Sequence, residues 1–192
     1  MHKTPKEILE SENFQSFLKS VKDVIEFFER GHYGDYEIFV FEVRKKLLTY
    51  YSAAIDLEEV EQNDEAEYFH SFKIEKELTK AVHEKSEEVL KENQWYIDTF
   101  NPVEVDGQKP TGGWLVDDFE DIYKDLKENI VLLEDKKETA YEYVIWNFRY
   151  SFLIHTGQHC IDAIRALHFL IERILNQRDL DAIVPFEPEE LE

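Results

Sequence analysis

Apolar residues recur every three or four positions through most of this chain, and that spacing predicts helices. Phe14, Phe17, Leu18, Val21, Val24, Ile25 and Phe28 make one such stripe. Ahead of it, Thr4-Pro5-Lys6-Glu7 reads as a capping box, with Pro at the first helical position and Glu three residues after Thr. A first helix is therefore expected to begin there and to stop at Gly31. Asp35 is placed to cap a second helix, running through Ile38, Phe41, Leu48, Tyr51 and Ile55. The acidic stretch Glu58 to Glu67 then reads as a solvated loop or frayed helix end. A third helix is expected over Phe72 to Leu90, with Leu78, Val82 and Val89 turned inward.

Trp95 to Pro102 reads as an irregular aromatic segment laid over the bundle, and Asn101 to Gly113 as the main loop. A fourth helix starts near Asp117 and keeps Phe119, Ile122, Leu126, Ile130 and Leu133 on one stripe. Acids and amides crowd its first turns, as the helix dipole favours. A last helical region spans Lys137 to Asn176, with Gly157 as the place for a bend. The end of the chain, residues 184–192, reads as a flexible acidic tail.

Composition supports helices over a many-turned β fold. Only six glycines and five prolines occur, and Gly107, Gly112, Gly113, Pro102 and Pro110 fall in one short segment. At 192 residues and 43% hydrophobic, the chain is long enough for one real core. The expected fold is all-α: a single domain over residues 1–192, an up-and-down bundle of about five helices with one Gly/Pro loop.

Charge narrows the partners. With 43 acids against 22 bases the formal charge is −21, which repels nucleic-acid phosphates and anionic lipid. Neither is expected as a partner; a small molecule or another protein fits better. Cys160 is the single cysteine, so no intrachain disulfide forms, and its place in an apolar helix suits packing. The first residues enter a charged segment without an apolar signal region, and no run is long enough for a membrane span. A cytoplasmic location is the expectation.

The chemistry is concentrated in Trp146 to Leu170, WNFRYSFLIHTGQHCIDAIRALHFL. On one helix, His155, His159 and Asp162 fall on the side of Val144, Phe148, Phe152, Ala163, Ala166 and Leu170. His155 and His159 are one turn apart, and Asp162 can accept a hydrogen bond from His159. On the fourth helix, Asp118 and Asp125 flank one edge of the apolar stripe, with Asp121 farther out and Tyr123 at the other edge. Facing helices would then bring carboxylates to imidazoles. Asp118, Asp125, His155 and His159 are the candidate ligands of a divalent metal, the candidate cofactor. Two readings stand side by side: a functional site, and a buried polar network in which the histidines are satisfied by Asp162, tyrosines or backbone. Arg165, Arg149 and His168 are candidates for holding an anion nearby.

Named motifs fit poorly. His155-Thr156-Gly157-Gln158-His159 has zinc-protease spacing without the Glu after the first His. Glu-x-x-His occurs at Glu29/His32, interrupted by Gly31, and at Glu67/His70 in the acidic stretch. Glu84-x-x-Glu87 with Asp118-x-x-Asp121 has the paired acids of helical magnesium-dependent pyrophosphohydrolases, but the first pair points outward and the second is Asp-Asp. Among 43 acids such pairs arise by chance.

Three blocks carry a family resemblance. They are Asp118-x-x-Asp121-Ile122-Tyr123-x-Asp125-Leu126-Lys127, His155-x-Gly157-x-His159, and Ala163-x-Arg165-Ala166-Leu167-His168. Tyr96, Phe100 and Pro102 fit a shorter upstream pattern. In these the chain resembles a bacterial family known as domain of unknown function 5063. The resemblance implies a helical fold and nominates Asp118, Asp121, Tyr123, Asp125, His155, His159, Arg165 and His168, without implying a reaction. One departure stands out: the family usually has Trp between the His and Gly of the second block, and this chain has Thr156.

The leading functional reading is a protein that binds a ligand or partner in a polar cleft between the fourth and last helices. The alternatives are a metal-dependent hydrolase with an Asp/His site and an acidic adaptor.

Overall fold

Thr4 opens α1 (Pro5–Leu9) with both arms of the capping box: its backbone N–H donates to Glu7 Oε2 at 2.7 Å, and its Oγ1 accepts from the Glu7 N–H at 3.3 Å. The helix stops after one turn. Ser11 turns extended, and its Oγ accepts from Phe14 N–H at 3.4 Å to start α2 (Glu12–Glu29). The single helix expected here is therefore two, because a good capping residue sits at position 11 and captures the orphan N–H groups. Asp35 caps α3 (Tyr36–Ile55) through Ile38 N–H at 2.9 Å. The computed structural model describes residues 3–30, 33–60, 72–98, 103, 109–134 and 138–183, with backbone alone for 138, 139 and 180–183. Gly31, His32, most of the acidic stretch with Glu67 and His70, Phe100, Pro102, Gly107 and the tail 184–192 lie outside them.

The remaining elements are α4 (Lys76–Leu90), a 3-10 turn (Lys91–Gln94), β1 (Trp95–Asp98), β2 (Thr111–Trp114), α5 (Leu115–Glu134), α6 (Glu138–Ser151), a π-helical turn (Phe152–Thr156) and α7 (Gly157–Ile183). The protein is mostly all-α: α6, the π-turn and α7 follow without a break as one long rod, and α5 packs against α2, α4 and that rod.

Aromatic rings fill the centre. Phe28 and Phe39 both meet Phe119 of α5, with centroids 5.5 and 5.9 Å apart, and Phe17 meets Phe148 edge-on at 5.0 Å. Such pairs add roughly 0.5–1.5 kcal/mol each beyond burial. Val82, Phe119, Ile122, Leu126 and Ile130 are buried as the spacing predicts.

Two inward stripes differ from expectation. On α3 the buried residues are Phe39, Val40, Val43, Leu47, Tyr50 and Ala54, whereas Ile38, Phe41, Leu48 and Ile55 face out. That helix is apolar on two faces, so periodicity offers two stripes, and packing against α2 and α7 selects one. On α4, Leu78 is exposed, and Thr79, Val82, Ser86 and Leu90 take the inner stripe.

The larger correction is a β-hairpin where an irregular segment and a loop were expected. Trp95, Tyr96, Ile97 and Asp98 pair antiparallel with Trp114, Gly113, Gly112 and Thr111. Trp, Tyr and Ile favour the pleated state. Their partner strand carries two glycines and no hydrophobic alternation, so only the pairing reveals it. Gly113 sits opposite Tyr96, where a Cβ would overlap the tyrosine ring.

Where a bend at Gly157 was expected, the rod makes a π-turn that ends on that glycine. Gly157 N–H reaches back five residues to the Phe152 carbonyl, and a Cβ on Gly157 would collide with that oxygen. Gly157→Ala is expected to cost about 1–3 kcal/mol, the range of an overpacked site. Urea unfolding of the variant measures it; unchanged stability would show that the turn has room to relax.

Candidate metal centre

α5 presents Asp118, Asp121 and Asp125 at spacings of three and four, which places them along one face. The rod opposite presents Ser151, His155, Thr156 and His159. In a straight α-helix, positions five apart point about 140° away from each other. The π-turn removes that divergence: Ser151 Oγ and Thr156 Oγ1 lie 2.7 Å apart, and each is 2.7 Å from Asp125 Oδ2. His155 Nδ1 meets the same oxygen at 2.9 Å. Asn129 braces the helix behind it, its Nδ2 donating to the Asp125 carbonyl at 2.9 Å.

His159 has its own carboxylate. Its Nδ1 lies 2.7 Å from Asp118 Oδ1, and the other oxygen of Asp118 accepts from the Tyr96 hydroxyl at 2.8 Å. Tyr96 reaches that point because Gly113 leaves room for its ring. The hairpin is thus fastened to the base of α5.

These contacts fix the tautomers. A carboxylate only accepts, so each Nδ1 carries the proton, and in the neutral ring each Nε2 keeps a lone pair. Both Nε2 atoms turn toward Asp121: its Oδ2 is 3.6 Å from His159 Nε2 and 3.9 Å from His155 Nε2. All three atoms fall within 4.8 Å of one another. The gaps exceed hydrogen-bond length. Ligand atoms around a tetrahedral Zn²⁺ stand about 3.4 Å apart. Small side-chain rotations would close the set around one cation. The site is partly open: His155 is 42% exposed, Asp121 26% and His159 23%.

Electrostatics match the geometry. Burial pushes the Asp125 carboxyl up, but hydrogen bonds from His155, Thr156 and Ser151 outweigh it and hold the group down at about 2. Burial raises Asp118 against the pull of His159 and Tyr96. The hydrogen bond to Asp118 raises His159, opposed by its own burial.

Asp118, Asp121, Asp125, His155 and His159 come together, in a different arrangement from the one expected. Asp121, placed farther out by the sequence, faces both Nε2 atoms, while Asp118 and Asp125 occupy the Nδ1 side. Asp162 does not bond His159; it shares a hydrogen bond with Asp98, and burial together with Asp98 raises its carboxyl to about 7. Arg165 Nη1 donates to Asp98 at 2.9 Å. Tyr123 is buried on another face of α5, donating to Glu29 at 2.9 Å, and His168 contacts Arg44 at 3.2 Å. Arg149 lies 3.8 Å from Glu59. Glu84 and Glu87 line a surface groove with Glu120, apart from the Asp118/Asp121 face. Ser151 and Asp98 were missed. Only Gly157 in an apolar rod hinted at the turn that recruits Ser151, and nothing in the spacing joined Asp98 to α7.

The family model described as domain of unknown function (DUF5063) matches residues 9–173, and the chain belongs to that family. The crystal structure of protein BF1032 from Bacteroides fragilis is similar in fold, with a TM-score of 0.71 at 20% identity, covering 85% of this chain and 98% of that one. Among curated proteins nothing matches. No helix among the described residues is long and apolar enough to cross a membrane.

Asp125 makes acid stability a test of the clamp. Its folded carboxyl lies below the ordinary value of 3.8. Its contribution is therefore full above that value and is lost as pH falls toward 2, an effect of about 2 kcal/mol. Urea titrations across this range should show Asp125→Asn less stable at neutral pH and flatter on acidification. Parallel pH profiles for the variant and the wild type would contradict the clamp.

Proposed function

We propose that the protein binds one divalent transition-metal ion through Asp121 Oδ2, His155 Nε2 and His159 Nε2, and uses it to activate water for hydrolysis. The ligand of the polar cleft between α5 and the rod is then the metal itself. The observation that carries this reading is the convergence of three acceptor atoms whose imidazoles are pinned at Nδ1 by Asp118 and Asp125. Lone pairs aimed at one point are a fit for a cation placed between them. A carboxylate behind each imidazole is the usual outer partner of a metal-bound histidine, fixing ring orientation and raising basicity. Three protein ligands leave at least one coordination position open, the pattern of catalytic centres. A metal held by Asp121, His155 and His159 would lower the pKa of water bound at that position toward neutral.

Imidazole and carboxylate together suit Zn²⁺, Mn²⁺ or Fe²⁺ better than Ca²⁺. The net charge of −21 favours cations and disfavours nucleic acid. In this reading the chain works as one cytoplasmic domain on a small substrate, without membrane or nucleic-acid partners. An adaptor role rests on net charge alone and leaves the imidazole geometry unexplained.

Elemental analysis of protein purified without chelator, with calorimetric titration of Zn²⁺ and Mn²⁺ into stripped protein, tests the proposal. Binding of about one ion per chain is expected. It should be abolished in the His155→Ala/His159→Ala double variant and weakened about 10–100-fold by Asp118→Asn or Asp125→Asn. Metal uptake by the double variant equal to wild type would sink the assignment.

Acid should also weaken binding, because the ion competes with protons for Nε2. The raised His159 pKa moves that competition to higher pH than for an ordinary histidine. Metal affinity titrated between about pH 5 and 8 checks this. A flat profile would place the ion on carboxylates alone.

A further inference from the structure

Beside the metal centre, β1 and α7 enclose a cavity of about 200 Å³. Its walls are apolar and aromatic: Trp95 and Tyr96 from β1, Leu115 from the start of α5, and Ala166 and Phe169 from α7. Trp95 is 61% exposed and Phe169 56%, so two large rings stand at an open mouth in contact with water. Covering such surface is favourable by about 25 cal/mol for each Å² removed from water.

Two arginines, Arg165 and Arg173, line this mouth beside the two acids Asp98 and Asp162. Arg165 donates to Asp98. Arg173 Nη1 donates to the neutral Asn93 Oδ1 at 3.0 Å, and among the described residues no carboxylate forms an ion pair with it. Burial and the neighbouring Asp98 raise the Asp162 carboxyl to about 7, which weakens the negative charge of that wall near neutral pH.

The geometry points to a second site: the cavity between β1 and α7 binds a small aromatic oxyanion, its ring against Trp95 and Phe169 and its carboxylate or phosphate on the Arg173 guanidinium. Size supports a single ring, since a dry cavity of about 150 Å³ admits benzene. The head group follows from the planar fork of arginine, which matches two oxygens of a carboxylate or phosphate. Aromatic walls supply the largest apolar contact for the fewest frozen torsions. This site goes beyond the metal reading and does not depend on it. Tyr96 joins the two sites, its ring in the pocket and its hydroxyl on Asp118, and Asp162 feels the charges of Asp118 and His159.

The test uses the full chain, stripped of metal with chelator, and three probes: phenylacetate, phenyl phosphate and benzyl alcohol. Calorimetry and tryptophan emission follow each titration. Saturable binding of at least one anion is expected, at least tenfold tighter than benzyl alcohol. The tighter anion identifies the head group. Arg173→Gln and Phe169→Ala should each weaken it at least tenfold, while His155→Ala leaves it within twofold. No saturation by about 10 mM for either anion, a range already weaker than −4 kcal/mol of binding, would overturn the assignment. So would equal affinity for benzyl alcohol, indifference to Arg173→Gln, or loss of binding in His155→Ala, which would move the anion to the metal centre. Failure of metal uptake leaves all these outcomes readable.

Discussion

One carboxylate organises the candidate centre. Asp125 receives His155, Ser151 and Thr156 on a single oxygen; Ser151 lies just before a π-turn, and His155 and Thr156 lie at its end. An α-helix gives no reason for such residues to meet. The turn is kept by two complementary features: a glycine at its end, where a side chain would strike the Phe152 carbonyl, and an acceptor on α5 that rewards the altered phase. Burial makes that carboxylate expensive to ionise, and its donors more than offset the cost. The position of the His155 ring, and with it one Nε2 atom, depends on this balance.

Asp118 repeats the logic at the other imidazole, with a different brace. Its second oxygen is held by Tyr96, and Tyr96 is held by a hairpin whose opposite residue is Gly113. A short sheet in an otherwise helical protein thereby positions a histidine of the candidate centre through two hydrogen bonds. Thr156 has a comparable part: its buried hydroxyl donates to Asp125 and adds to the clamp.

The neighbouring cavity extends the picture along α7. Successive turns of that helix carry His159, Asp162, Arg165 and Phe169. The first belongs to the imidazole pair and the others line an apolar pocket with cationic edges. Tyr96 faces the pocket with its ring and Asp118 with its hydroxyl, so the wall between the two regions is one side chain thick.

The helices were legible from local spacing, because burying one face of a helix demands a 3.6-residue period and a cap at its start. Thr4, Asp35 and the Phe119/Ile122/Leu126 stripe are read directly in this way. The same spacing brought Asp118, Asp125, His155 and His159 to facing surfaces. It could not rank Asp121 above Asp118, because which oxygen meets which nitrogen depends on the relative rotation of two rods. It could not choose between the two apolar faces of α3, since both satisfy the period. It gave no sign that Gly112 and Gly113 form a strand, because a glycine strand has no side-chain pattern and exists only through its partner. Local pattern thus determined the elements and nominated the polar residues; contacts between residues distant in sequence decided the phase of the rod, the hairpin and the order of atoms around the centre.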